Sequence, residues 1–532
     1  MAGRRDPRGG PQGNCVDYLF EHALEPQNRN RVYLRLDDGA VTFEEQHRRV
    51  CQAGHYLKSI GLKPGERMLM SVMDGKDFVA LFLGALKIGV VAVPLSTFQK
   101  AKDYRHNLND SGAAAIFVDR SLAGTIAEIR PEVKACRHWG VLGGSAPGFV
   151  PFEPGADAQP ETLETRPCSA DEVAFWLYSS GSTGAPKGVV HTHAHIYWAT
   201  ELTGIGALGI NKDDVVSCPP KMFFALGLGG EVYMPLRACA ETLVSPTAIT
   251  PPRVWAQWIK NRPTVTMVVP TLCSGMLQLA EKEFGQAVAR QACGRLRFAF
   301  SSGEVLPPTL MHRWHDYTGV ECLNGFGTTE MTHMFIFNRP GHPVEHSCGR
   351  IVEGYRYEIL DPQGNRVPVG EVGNLHVYGP TSAVEYWNNP EKTAIVMGKG
   401  GVLTGDMVYE DKEGNLFMAG RSDDMLRVGA IWVSPAEVEG ALVTHPAVLE
   451  AAVIGAPDEG GLTKPRAYVT LRDPVDPAHW PALEAELKKH VHGQLPAFKT
   501  PHRIEAMEEL PKTATGKIQR FRLRALALET GA

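Results

Sequence analysis

The sequence predicts a two-domain α/β protein. A large N-terminal domain of mostly parallel sheets flanked by helices carries a small antiparallel barrel-like subdomain, and a small α+β domain follows. Three observations predict this. The 532 residues are too many for one ordinary core. Up to about residue 350, short apolar runs alternate with helical stretches, the pattern of parallel strands covered by helices. Beyond it, the chain changes to short alternating segments joined by tight turns, and then begins a new strand–helix series.

The elements follow in order. MAGRRDPRGGPQGN has early arginines with no apolar stretch behind them, so it reads as a flexible tail rather than a secretory signal. The apolar spacing from Val41 predicts a helix that ends at Gly61. ERMLMSVM is a strand, a helix starts near Asp77, and GVVAVPLS is the next strand. Phe78 to Leu95 is the most membrane-like stretch, but Lys87, Gly84, Gly89 and Pro94 interrupt it, so a buried helix running into a buried strand is expected. AAAIFVD, VVSCPP, VTMVVP and LRFAFSSG read as further strands, whose Gly/Ser/Pro ends place ligands at their carboxyl edges. In YRYEILDPQGNRVPVGEVGNLHVYG the DPQGN and PVGE turns predict antiparallel hairpins. After GRSDD the chain resets: PAEVEGALVTHP is a helix, VLEAAVIGAP and RAYVTLR are strands, and WPALEAELKKHVHGQL is a long amphipathic helix. The expected domains are 1–422 and 423–532.

Composition excludes several classes. Hydrophobic residues make up 43% and charged residues 21%, which is not the composition of a disordered chain. A net charge of -5 and no long Lys/Arg run give no nucleic-acid footprint. The ten cysteines form no CxxC pair and no zinc-like cluster; they suit core positions in a reducing, cytoplasmic compartment. No membrane span is expected.

The strongest local signal is Tyr178-Ser179-Ser180-Gly181-Ser182-Thr183-Gly184-Ala-Pro-Lys187-Gly188, after the strand end FWLY. Glycines, serines and a threonine make a loop rich in hydroxyls and backbone donors that can wrap phosphate oxygens. Lys187 supplies a point charge suited to β- and γ-phosphates. The spacing differs from GxxxxGK[ST], so this is not the ordinary P-loop, and a plain glycine–serine surface loop is the bland reading.

This loop resembles the signature of the adenylate-forming superfamily, which contains acyl- and aryl-CoA ligases, luciferases and peptide-synthetase adenylation domains. Gly327-Thr328-Thr329-Glu330, Tyr386-Trp387, Thr404-Gly405-Asp406, Gly420-Arg421-Ser422-Asp423-Asp424 and the stretch Pro511 to Arg520 follow in the order that family shows. The set spans residues 178 to 520. Within the superfamily, YSSGSTGAPKGVVHTHAH, KMFFALGLGG, GFGTTEMTHMFIFN and PKTATGKIQRF most resemble bacterial benzoate-CoA ligases.

The resemblance implies an ATP-dependent enzyme that uses Mg2+ and coenzyme A, with a small aromatic carboxylic acid as substrate. The carboxylate attacks the α-phosphate of ATP, and a thiol then opens the mixed anhydride. It assigns Lys517, on the mobile PKTATGK loop, to the charge developing on the α-phosphate, although a lone lysine near a C-terminus is usually a solvated charge. Glu330 is the implied magnesium ligand, with Thr183 adding a hydroxyl; the bland role for Glu330 is a charge at a helix start. Asp406 is implied to accept both ribose hydroxyls, with Arg421 reaching the ribose or phosphates. Ser302, Gly303 and Glu304 resemble the adenine-side loop, with Asn324 and Phe326 beside the base. Asp423 resembles the hinge about which the C-terminal domain turns between half-reactions.

The acyl pocket is assigned to Ala225, Leu226, Ser302, Gly325, His333 and Met334, with Phe224 as an aromatic gate, though FFALGLGG alone also reads as core. Benzoate-CoA ligases typically carry tyrosine at the position of Leu226 and alanine at that of Ser302. A buried hydroxyl wants a partner, which an ortho amino or hydroxyl group would give, so 2-aminobenzoate is the favoured substrate. Those ligases also read Lys-Val-Ser-Gly where this chain has Arg427-Val428-Gly429-Ala430, a difference near the thiol path. Benzoate or hydroxybenzoate as substrate, a carrier-protein thiol as acceptor and a fatty-acyl substrate are the alternatives. Monomer and homodimer stay open.

Overall fold

The structure is a computed structural model that describes residues 10–11, 13–179, 186–303, 306–422, 424–428, 431–457, 463–512 and 518–529. The described residues pack as two compact units, the first within 1–181, 185–357 and 376–404, the second within 358–375 and 405–532.

The first unit holds two sheets. In one, the strands run in the order Glu385–Tyr386, Lys187–Thr192, Val173–Ser179, Val91–Pro94, Arg67–Ser71, Ala115–Asp119, His138–Leu142 and Val150–Pro151. From Val173–Ser179 onward the neighbours are parallel, whereas Val173–Ser179 and Lys187–Thr192 form an antiparallel hairpin. The expected helix is Phe43–Ser59, opened by a reciprocal capping box between Thr42 and Glu45 and closed at Gly61, where φ is +82°. Its partner Lys76–Lys87 is buried from Phe78 to Lys87 and runs into the buried strand Val91–Pro94, so the membrane-like stretch is core. Lys87, the charge inside it, lies 3.6 Å from Asp17. No helix among the described residues is long and apolar enough to cross a membrane.

The other sheet carries Val32–Leu36, Glu241–Leu243, Val215–Ser217, Val265–Val268, Phe298–Ser301 and Cys322–Gly327 as parallel neighbours in that order. Met334–Phe337 and Ser347–Ile351 then extend it antiparallel. Helices Pro251–Asn261, Pro270–Glu283, Gly285–Cys293 and Pro308–Thr318 cover one face around Trp255, Trp258 and Trp314. Trp258 Nε1 donates to Ser217 Oγ (2.9 Å), which ties that core to a strand. Two stretches, Ala199–Ala207 and Leu228–Tyr233, are π-helical, a form that recurs at functional sites.

In the second unit the DPQGN turn forms as expected: Asp361 Oδ1 accepts from the backbone of Gln363 (2.9 Å) and Asn365 (2.8 Å). Val402–Glu410 and Leu416–Arg421 pair antiparallel, with Asp406 opposite Arg421. The C-terminal portion is a sheet of Val448–Pro457 and Thr463–Leu471, antiparallel, with Arg503–Ala506 parallel to the latter. Its alternation sorts two cores. Ala451, Val453, Ala467 and Val469 pack with Val438, Leu442, Leu487 and Val491 of the helices Pro435–Val443 and Trp480–Gln494. Ala452, Ile454 and Tyr468, on the other face, pack with Leu523 and Ala527 of Arg520–Glu529.

Candidate active site

The phosphate-loop hairpin is closed where Ser179 pairs with Lys187 and Tyr178 with Gly188. Ser180, Gly181, Ser182, Thr183 and Gly184 between them lie outside the described residues, as do Glu304, Asp423, Gly429, Ala430 and Lys517. At the hairpin base Trp176 and Trp387 pack with centroids 4.5 Å apart and planes tilted by 33°, and Tyr178 Oη donates to Asp110 Oδ2 (2.7 Å). Burial, and then that carboxylate, push the Tyr178 phenol far above its ordinary range.

Lys187 Nζ stands 5.5 Å over the ring of Tyr386. The same tyrosine's hydroxyl donates to Glu330 Oε1 (2.8 Å), and the backbone N–H of Ala383 donates to Glu330 O (2.8 Å). Tyr386 thus links the candidate phosphate lysine to the candidate metal carboxylate. In the sequence Tyr386 stands out only as part of the Tyr386-Trp387 motif; its role needs tertiary contact to be seen. Thr328, beside Glu330, has a buried hydroxyl with no partner among the described residues, a donor suited to an anion.

Glycine at 327 is dictated by space. A Cβ there would lie 2.6 Å from His333 O and 2.7 Å from Met334 Cα. The pairing of Gly325 with Phe337, Phe326 with Ile336 and Gly327 with Met334 lets the strand pair close tightly at this point. Phe326 sits edge-on to Phe335 at 5.5 Å. Asn324 is buried, and its amide nitrogen donates to Ser347 O (3.2 Å).

Ser302 and Gly303 follow the strand Phe298–Ser301, with Gly303 at φ +90°. Ser302 is 5% exposed, and the hydrogen bond it makes among the described residues runs from its backbone N–H to Val268 O (3.1 Å) rather than from its hydroxyl. Phe224 precedes the turn Ala225–Gly227 and packs against Phe223 at 4.7 Å. His333 Nε2 donates to Leu226 O (3.3 Å), which brings the Phe224–Leu226 and His333–Met334 segments together. Burial lowers the His333 pKa to about 4, so the ring is neutral. With the proton on Nε2, Nδ1 is a buried acceptor without a partner among the described residues.

Beneath this wall lies a buried ion pair that sequence reading passed over. Lys221 Nζ is 3.1 Å from Asp74 Oδ2 and donates to Ser245 O (2.6 Å), while Asp74 Oδ1 accepts from Met222 N (3.1 Å). The pair fixes the loop that presents Phe224. The signal available in the sequence was a lysine inside the apolar run KMFFALG.

In the second unit Asp406 is 3% exposed and its Oδ1 accepts from Arg421 Nη1 (3.0 Å). Gly405 at φ +74° turns the chain there, and its carbonyl accepts from Ser422 N (2.8 Å). Arg520, at the end of the lysine-loop motif, donates from Nη2 to both oxygens of Glu439 (2.7 and 2.8 Å), and Arg524 donates to Asp424 Oδ1 (2.6 Å). This network anchors both the residue after the candidate hinge and the start of the terminal helix.

The family described as AMP-binding enzyme matches residues 20–387, and the AMP-binding enzyme C-terminal domain matches 437–517. A benzoate–CoA ligase from Thauera aromatica is 40% identical over 511 residues, 96% of this chain and 95% of that protein. The crystal structure of the anthranilate CoA ligase AuaEII in complex with anthranoyl-AMP is similar with a TM-score of 0.90 at 36% identity, covering 98% of each chain. A benzoate CoA ligase from Burkholderia xenovorans LB400 is similar with a TM-score of 0.85 at 38% identity, covering 96% of this chain and 99% of that one. The chain belongs to the AMP-binding enzyme family, on its branch of AMP-forming aryl-CoA ligases.

Proposed function

We propose that the protein joins a benzoate-type acid to coenzyme A through an aryl-adenylate, with 2-aminobenzoate preferred over 2-hydroxybenzoate and benzoate. One observation carries the reaction type. A single short segment, Thr328 to Met334, bears Glu330 beside Tyr386 and Lys187 at one end and the pocket residues His333 and Met334 at the other. A carboxylate in that pocket sits next to the phosphate-binding groups.

In the first half-reaction a carboxylate oxygen attacks the α-phosphorus, and pyrophosphate leaves with the bonding pair. In the second the CoA thiolate attacks the acyl carbon, and AMP leaves. Lys187 neutralises the leaving phosphates, and Lys517 the charge on the α-phosphate. Asp406 holds the ribose. Asp423 is the hinge between domains 1–422 and 423–532. The donor set suits a magnesium ion held mainly by phosphate oxygens. Glu330 offers one carboxylate, Thr183 a hydroxyl, and no group of three His, Cys, Asp or Glu side chains gathers among the described residues. Such an ion supplies charge neutralisation when bound.

Two features support an ortho substituent. Among the described residues Ser302 is buried without a bond from its hydroxyl, and His333 Nδ1 is a buried acceptor lacking a donor. A site that satisfies a polar substituent rejects the analogue without it, because its own groups are left unpaired. The similarity to an enzyme crystallised with anthranoyl-AMP supports the same choice, while the relative from Thauera aromatica favours plain benzoate. The test is kcat/KM for CoA-ester formation across benzoate and its ortho, meta and para amino and hydroxy derivatives, in wild type and Ser302→Ala. If benzoate is preferred in the wild type, or the serine change leaves the ratio to 2-aminobenzoate untouched, the ortho reading fails. Transfer to a holo-carrier protein in place of CoA would reassign the thiol.

A further inference from the structure

The segment that joins the two halves of the site contains a backbone anomaly. Thr332 has φ +68° and ψ -39°, and the N–H of His333 donates to Met331 O (2.8 Å) across it. This is a γ-turn with positive φ at its centre, a rare and strained form, and its central residue is β-branched. Such a conformation persists only where the surroundings over-determine it.

The surroundings here are specific. Thr332 Oγ1 lies 3.2 Å from both Thr381 O and His191 Nδ1. Thr381 Oγ1 donates to Met331 O (2.9 Å) and is itself 3.1 Å from Tyr355 Oη. His191 Nε2 donates to Thr329 O (2.9 Å). A carbonyl can only accept, so the proton is on Nε2 and Nδ1 is a lone pair. His195 Nδ1 also reaches that lone pair (2.9 Å), and the His191 ring stacks on Phe175 at 5.0 Å. Burial keeps the His191 imidazole neutral, with its pKa lowered to about 4. His191 therefore holds the turn at Thr329 and Thr381 holds it at Met331, while the one hydrogen of the Thr332 hydroxyl goes to Thr381 O or to His191 Nδ1.

We propose that His191, Thr332 and Thr381 form a positioning clamp. Its strained turn sets the register between Glu330, on the phosphate side, and His333, on the acyl side, so that carboxylate and α-phosphate meet in line. The inference rests on the activity proposed above. None of the three residues touches substrate; they act through the segment they hold. A turn that only connected two elements would take glycine at no conformational cost.

The test compares Thr332→Gly, Thr332→Val, Thr332→Ser and His191→Phe in the full-length protein. Melting temperature, single-turnover pyrophosphate release and the KM for ATP and for aryl acid are measured for each. Thr332→Gly relieves the strain, so it should melt no lower than wild type yet form adenylate about ten- to a hundredfold more slowly, with both KM values nearly unchanged. Thr332→Val and His191→Phe, which keep shape and lose hydrogen bonds, should show the same kcat-against-KM split. Thr332→Ser should restore most of the rate. A wild-type rate in Thr332→Gly overturns the clamp, as does a rate loss that follows loss of melting temperature across the series. If the wild type forms no adenylate from any benzoate, the activity reading fails, and the clamp with it.

Discussion

Gly229 lies in the π-helical stretch Leu228–Tyr233, against the pocket histidine. A Cβ added there would stand 2.7 Å from His333 Nε2 and 2.8 Å from Tyr233 Oη, both on buried side chains. Gly229→Ala therefore forces the imidazole away from Leu226 O. Overpacking a core typically costs about 1–3 kcal/mol, and the lost hydrogen bond about 1 kcal/mol more. The better helix propensity of alanine returns up to about 1 kcal/mol. The net is a destabilisation of about 1–3 kcal/mol, with the displaced wall raising the KM for aryl acid by about tenfold for each 1.4 kcal/mol lost in binding. The KM for ATP should move little. Urea denaturation reads the stability and initial-rate kinetics the two KM values. The decisive measurement is a double-mutant cycle on stability. In Gly229→Ala/His333→Ala the methyl occupies space vacated by the ring, so the double variant should be less destabilised than the sum by about 0.5–3 kcal/mol. Additive values, or a Gly229→Ala protein as stable as wild type with unchanged acid KM, refute the reasoning.

Tyr386→Phe removes the hydroxyl that holds Glu330 and should slow pyrophosphate release by about tenfold, the order expected for one bond to a partly exposed carboxylate; an unchanged rate would separate Tyr386 from catalysis. Lys221→Met leaves Asp74 buried without its cation and should cost about 3–5 kcal/mol in denaturation, whereas Lys221→Met with Asp74→Asn should recover part of it. Stability should fall in mild acid. His191 and His333 stay neutral in the fold down to about pH 4, whereas in the unfolded chain they take up protons near their ordinary value. The unfolded state gains protons first, so stability is complete above about pH 6.5 and drops as pH falls, by on the order of 3 kcal/mol per ring by pH 4. Denaturation midpoints that rise between pH 7 and pH 5 would contradict this.

What the sequence makes legible is local or periodic. The helix after Thr42 could be read because its cap, its apolar spacing and its terminal glycine all agree, and the turn at Asp361 because aspartate and asparagine bond their own backbone. The strands of the parallel sheets show as short apolar runs for the same reason. What could not be read depends on residues far apart in the chain. Tyr386 reaches Glu330 across 56 positions and His191 reaches Thr329 across 138. Nothing in the string TTEMTH announces a positive φ at Thr332, since threonine disfavours it, and the groups that reach its hydroxyl, Thr381 and His191, lie 49 and 141 positions away. The destination of Asn324 is also set from afar, because the carbonyl that takes its amide belongs to Ser347.

The packing units interleave along the chain: residues 358–375 pack with residues 405–532, while 376–404 return to the first unit. During synthesis the 358–375 segment emerges before the partners that complete it. Its Gly370 N–H bonds to Glu410 O, about 40 residues downstream, which at 5–20 residues per second is a wait of about 2–8 s. For that interval the ribosome carries a nascent strand with open backbone donors and acceptors. Pausing between codons 375 and 410 would lengthen it, and faster decoding there, or a chaperone at the exit tunnel, would shorten or shield it. The yield of folded enzyme should thus respond to silent codon changes in this window more than to changes of the same kind upstream.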